Sequence, residues 1–196
     1  MENRGEGLFI QFRKAAIEQW LARDEVKERG RRLLAGFESW QNRHPQSHRL
    51  FPGMPYYLLH SLSHLLLTAV SLECGYPASS IRERVYALEA GYGILLYTGS
   101  PDAEGTLGGL VETGRQIDRH LRAAIDLGRL CSNDPVCAQH DPQNQHERRF
   151  LHGAACHGCL LIAETSCEQY NDFLDRAFVV PTVEHLGAEF FQTEGI

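Results

Sequence analysis

His152-Gly-Ala-Ala-Cys-His-Gly-Cys-Leu-Leu-Ile-Ala-Glu-Thr-Ser-Cys167 is the stretch around which this chain is organised. Cys156 and Cys159 have two residues between them, a spacing at which one turn of backbone aims two thiolates at a single tetrahedral ion, and Cys167 follows further on. A zinc site needs a fourth ligand. The sequence offers His152, just before Cys156, and an upstream pair, Cys131 and Cys137, inside Cys-Ser-Asn-Asp-Pro-Val-Cys. All but one of the 6 cysteines fall in the last third of the chain, in two clusters, which is the distribution of a metal knot. The competing readings are buried free thiols and disulfides. The polar start, Met1-Glu-Asn-Arg-Gly-Glu-Gly, carries no signal-peptide pattern, so a cytoplasmic, reducing compartment is expected, and that favours metal over disulfide.

With 196 residues, 43% of them hydrophobic, the expectation is one core and a single domain over 1–196, with its zinc-binding segment over 131–176. The longest apolar run, Leu62 to Leu72, is interrupted by Ser63, His64, Thr68 and Ser71, too polar for a bilayer span, so no membrane partner is expected. A formal charge of −6 excludes coating of DNA by bulk electrostatics and leaves only local basic contact.

The periodicities predict an α+β fold, a small mixed sheet packed on helices with a C-terminal zinc-binding Cys cluster. Leu8, Ile10 and Phe12 alternate with polar neighbours, as in a strand with one buried face or an edge strand completing a neighbour's sheet. From Lys14 to Phe37 the period becomes helical, with Ile17, Trp20, Val26 and Leu33 on one side. Trp40 to Pro55 reads as a connection, and Tyr56 to Leu72 as a central helix with little polar face. Strands are expected after Ser80, with Ile81, Val85 and Tyr86 inward, and over Gly91 to Thr98. A glycine-rich loop, Ser100 to Leu110, precedes a helix over Thr113 to Leu130, and a short amphipathic helix is expected over Glu168 to Phe178. Leu186, Phe190 and Phe191 are left to pack locally or onto another chain.

Catalytic signatures are missing: there is no Walker A loop, HExxH, HxK, GxSxG or HxE paired with PCxxC, so no enzymatic activity is expected. The alternative is a metal-dependent hydrolase or nuclease drawing on His60 and His64 with Glu73, Asp102 and Glu104. His60 and His64 have metal-ligand spacing on a helix, although two packed, hydrogen-bonded histidines account for the same pattern. A third reading is a protein-interaction scaffold without DNA contact. Arg29, Arg31, Arg32, Arg115, Arg119 and Arg122 separate these options: gathered in one patch they favour DNA, paired with acids they favour the scaffold.

Leu62-Ser-His-Leu-Leu, Tyr97-Thr-Gly-Ser-Pro-Asp-Ala-Glu-Gly-Thr-Leu-Gly-Gly-Leu, Cys131-Ser-Asn-Asp-Pro and Gly153-Ala-Ala-Cys-His-Gly-Cys-Leu-Leu-Ile-Ala-Glu-Thr-Ser-Cys-Glu together resemble the C-terminal domain of DrmB proteins of the bacterial DISARM anti-phage system. That domain is similar to the cysteine-rich C-terminal module of MrfA-type DNA-repair helicases. The resemblance runs from Asn3 to about Arg176 and implies a zinc-stabilised accessory domain, Zn2+ being structural, that works beside a superfamily 2 helicase or the rest of a DrmB-like protein, assisting DNA binding or partner assembly. The helicase version carries CxxxCxxCx7C, which falls here on His152, Cys156, Cys159 and Cys167, so histidine stands at the first position. Either His152 binds through an imidazole nitrogen or the upstream pair, Cys131 and Cys137, supplies the missing thiolate, a thiolate-rich site with Cys137 being the preferred reading.

Overall fold

The computed structural model describes residues 5–74, 77–98, 109–143 and 151–192. In chain order the elements are β1 (Gly7–Phe12), α1 (Lys14–Leu21), α2 (Asp24–Arg43), α3 (Met54–Cys74), β2 (Ile81–Leu88), β3 (Gly91–Thr98), α4 (Gly109–Arg115) and α5 (Ile117–Arg129). A helix with leucine at 58, 59, 62, 65, 66 and 67 has no wet side to offer, and α3 accordingly lies in the middle of the molecule with all of these side chains buried. Around it are placed the sheet, α5, α1 and the C-terminal segment.

The sheet has the order β1-β3-β2 and is antiparallel throughout, where a mixed sheet was expected. Its hairpin is closed by Glu89 and Ala90, with Leu88 paired to Gly91, a connection too short for parallel strands. Ile10, Ile94 and Val85 line up in register across the three strands, as do Leu8, Leu96 and Glu83, and the inner face so formed covers α3. β1 is an edge strand of the protein's own sheet.

Two helices expected to be continuous are broken. Arg23 is extended (φ −67, ψ 140) and separates α1 from α2, whose first turn carries Asp24 and Glu25 where the helix dipole favours acids. Gln116 separates α4 from α5. The glycine-rich loop, with Asp102 and Glu104, lies outside the described residues.

After α5 the described chain forms turns, with single 3-10 turns at Glu164–Ser166 and Arg176–Phe178. The helix expected over Glu168 to Phe178 does not form. Tyr170, Asn171 and Phe173 all have positive φ. The Asn171 carboxamide bonds the backbone of Ile162 in both directions, at 3.0 and 2.9 Å, and the Phe173 N–H donates to the Leu151 carbonyl. With the Asn171 N–H donating to Cys167 Sγ and the Asp175 N–H to the Ser61 hydroxyl, the backbone donors that a helix would use are taken elsewhere. Leu186, Phe190 and Phe191 pack onto the protein's own core, and the Trp20 indole N–H donates to the Ala188 carbonyl at 2.8 Å.

Candidate metal centre

Two short turns face each other at one end of the molecule. The first follows α5: the Asp134 N–H donates to the Cys131 carbonyl and the Cys137 N–H to the Asn133 carbonyl. The second is Cys156-His-Gly-Cys159, in which the N–H groups of Cys159 and Leu160 both donate to the Cys156 carbonyl. Each turn therefore presents two thiols from one tight loop, the local geometry that paired metal-ligating cysteines need.

The four sulfurs converge, all within 4.8 Å of one another. Cys131 Sγ lies 3.5 Å from Cys156 Sγ, Cys137 Sγ 3.8 Å from Cys159 Sγ, and Cys156 Sγ 3.7 Å from Cys159 Sγ. A tetrahedron with metal–sulfur bonds of about 2.3 Å has sulfur–sulfur edges of about 3.8 Å, whereas a disulfide holds its sulfurs at about 2.05 Å. The spacing fits a tetrahedral zinc and rules out bonded pairs. The donor set is the soft, all-sulfur one of structural zinc sites.

Hydrogen bonds prepare the thiolates. Cys156 Sγ accepts from the Gly158 N–H at 3.3 Å and from the Asn133 carboxamide at 3.2 Å. Burial opposes ionisation of Cys156, but the bonds from Asn133, Cys131 and Gly158 outweigh it and bring the thiol down to about 7. Burial, together with Cys156 and Cys137 beside it, pushes Cys131 up to about 11, against the Asn133 N–H that it accepts. The neighbouring Cys159 and burial raise Cys137 further still. Protons crowd onto this cluster unless a cation replaces them.

Buried ion pairs hold both turns to the core. The fully buried Arg176 guanidinium pairs with both carboxylate oxygens of Asp134 and donates to the Gly128 carbonyl at 3.1 Å. Asp175 accepts from Arg29 Nε at 2.7 Å, and from the N–H groups of Ala154 at 2.9 Å and Ala177 at 3.1 Å. Gly158 lies close against the first turn, where a Cβ would stand 2.6 Å from Ser132 Oγ and 3.2 Å from the Asn133 carboxamide nitrogen.

Cys131, Cys137, Cys156 and Cys159 thus come together, and Cys167 is placed elsewhere. Its Sγ lies 3.1 Å from His60 Nε2, in a second buried group with His64 and Glu83. After Cys167 the chain turns through left-handed residues and bonds to α3, the Asp175 N–H donating to the Ser61 hydroxyl at 2.8 Å. His152 is not among the donors of either cluster; its Nε2 stands 3.9 Å from Asp172. Glu73, proposed beside His60 and His64 in the hydrolase reading, pairs with Arg119 at 2.7 Å.

Glu83 is a residue that the sequence reading missed. The signal was an acid at the middle inward position of an alternating strand, Ile81-Arg-Glu-Arg-Val85, where only apolar side chains are ordinarily accommodated. Burial opposes its charge, but His60 and His64 outweigh it and hold the carboxyl at about 2; burial likewise opposes the charged form of His60, and Glu83 and Cys167 lift it to about 10.

Of the six arginines, five are paired with acids of the same chain. Arg29 is buried on Asp175, Arg31 and Arg32 both pair with Glu28, Arg115 with Glu112 and Arg119 with Glu73. Among the described residues no helix is long and apolar enough to cross a membrane.

The family model of the MrfA Zn-binding domain matches residues 62–160, a span that encloses all four cysteines of the cluster and neither His60 nor Cys167. The chain is 40% identical to the DISARM protein DrmB of Bacillus paralicheniformis, an alignment covering 98% of this chain and 34% of the relative. The chain spans about a third of the length of that curated relative.

Proposed function

The chain belongs to the family of MrfA zinc-binding domains, and from that premise we propose that it is a zinc-stabilised accessory module of a DrmB-like protein in a DISARM-type anti-phage system, acting by partner assembly rather than by catalysis. The observation that carries this reading is the four-thiol cluster. An ion held by four protein sulfurs keeps no open position for water, so bound zinc contributes folding free energy in place of Lewis-acid chemistry. Cytoplasmic location agrees with thiols that must stay reduced to bind metal.

The partner that best fits is a protein, a superfamily 2 helicase subunit or another part of the DrmB-like protein. The pairing of Arg31, Arg32, Arg115 and Arg119 with acids of this same chain favours that over DNA. The test is co-purification of the chain with the helicase subunit of its system, with and without nuclease treatment, beside DNA binding measured across a salt series. A nuclease-resistant complex and weak DNA binding with a shallow salt slope are expected. DNA binding that falls steeply with salt and is lost in Arg115→Ala/Arg122→Ala would reverse the assignment.

A further inference from the structure

We infer that the protein holds a second metal ion, a divalent cation of zinc type, between His60, His64, Glu83 and Cys167. The four donor atoms lie within 4.8 Å of one another, and all four residues are buried. His60 and His64 are one helical turn apart on α3 and project to the same side. Glu83 comes from the inward face of β2, and Cys167 from the turn after the 3-10 segment Glu164–Ser166. Glu83 Oε1 lies 2.8 Å from His60 Nε2 and 3.3 Å from His64 Nε2.

Second contacts aim each donor. His60 Nδ1 stands 3.3 Å from the Phe173 carbonyl and His64 Nδ1 2.8 Å from the Leu160 carbonyl. A carbonyl can only accept, so each Nδ1 carries a proton, and in the neutral ring each Nε2 turns a lone pair inward, as in histidines that bind metal. The other Glu83 oxygen accepts from the Ser63 hydroxyl. Cys167 Sγ accepts from the N–H groups of Gln169 at 3.4 Å and Asn171 at 3.1 Å. The first of these repeats the contact of Gly158 with Cys156 in the four-thiol cluster, a backbone N–H two residues on that stabilises a ligand sulfur.

Without a cation the arrangement is an enclosure of acceptors: two imidazole lone pairs, a carboxylate and a sulfur. One protonated imidazole can pair with the carboxylate, but protons on both rings would set two like charges with centroids 4.5 Å apart in a site with 0% side-chain exposure. A divalent cation meets all four donors at once. Neutral imidazoles, one thiolate and one carboxylate balance its charge, which is what a fully enclosed site requires. Two nitrogens, one sulfur and one oxygen form a set that zinc accepts, with every position filled by protein. The ion joins α3, the sheet and the C-terminal segment, and is independent of the four-thiol cluster and of the proposed partner.

The wild-type protein decides the question. Metal analysis should give two zinc ions per chain. Zinc X-ray absorption should then report an average of about 2.5 sulfur and about 1.5 nitrogen or oxygen ligands per ion. One ion per chain with an all-sulfur shell overturns the inference. In variants, Cys167→Ala and His64→Ala should each retain one ion in an all-sulfur shell, while Cys156→Ser should lose the sulfur-rich ion and keep the mixed one. Full metal content in Cys167→Ala would also overturn it, and should every variant fail to fold, the wild-type stoichiometry and shell still give the answer.

Discussion

The buried Arg176 guanidinium grips Asp134, and through it the turn that carries Cys131 and Cys137. One side of the four-thiol cluster is thereby anchored in the core before any ion binds. Asp134→Ala leaves that guanidinium buried without its counter-charge, a change that costs about 3–5 kcal/mol. Denaturant unfolding of the zinc-loaded protein is the measurement. Arg31→Ala, which breaks only an exposed pair with Glu28, should stay within about 0.5 kcal/mol of wild type. Equal losses from the two substitutions would contradict the anchoring role.

Gly153 lies against the other buried ion pair. A Cβ at this position would stand 2.2 Å from Asp175 Cγ and 2.7 Å from an Arg29 guanidinium nitrogen. Neither group can retreat, because Asp175 is also held by Ala154 and Ala177. Gly153→Ala should therefore cost about 3 kcal/mol or more, seen as a large fall in melting temperature. A wild-type melting temperature would show that the segment shifts freely.

Gly158→Ala acts on the ion rather than on the core. The new methyl group meets the Ser132 hydroxyl and the Asn133 carboxamide, and pushing them aside loosens the carboxamide's bond to Cys156 Sγ. Zinc affinity should fall about 10-fold or more, the scale of other changes just outside a metal's ligands. After chelation the variant and the wild type should melt alike; a stability difference between the two metal-free proteins would move the effect to the fold.

Acid should release zinc from the four-thiol cluster. Cys156 sits at about 7, below the ordinary thiol value, and Cys131 sits above it at about 11. Near neutral pH the cluster therefore still carries protons that zinc must displace, and each further proton gained as pH falls through 7 competes with the ion. Affinity measured against a chromophoric chelator should decline steadily from pH 8 to pH 6, with proton release on binding. Affinity independent of pH would mean that the thiols are already ionised.

Local spacing made the paired cysteines of the four-thiol cluster visible in the sequence, because each pair sits in one turn and its geometry needs no tertiary knowledge. The central helix was legible for the same reason: an uninterrupted leucine pattern has one home in a fold this size. Cys167 was not. Its closeness to Cys159 in sequence says nothing about the direction of the chain between them, and the left-handed residues after it are set by contacts with Ile162 and Leu151. Glu83 was hidden because its partners Ser63 and His64 stand 20 and 19 residues away on another element, and an acid within a strand is ordinarily read as solvated. Strand order was likewise a tertiary matter, since alternation marks an element's faces and not its neighbours.

The Trp20 indole meets the Ala188 carbonyl across a separation of 168 residues, and the phenyl ring of Phe178 packs edge-on against the same indole. The two halves of this wall leave the ribosome 168 residues apart. A ribosome delivering the chain at a few residues per second therefore leaves α1 with its apolar side bare for many seconds, waiting for its cover. Folding so dominated by distant pairings is intrinsically slow. Chaperone demand during translation, rather than fragility once folded, is the cost of covering a helix with chain made 168 residues later.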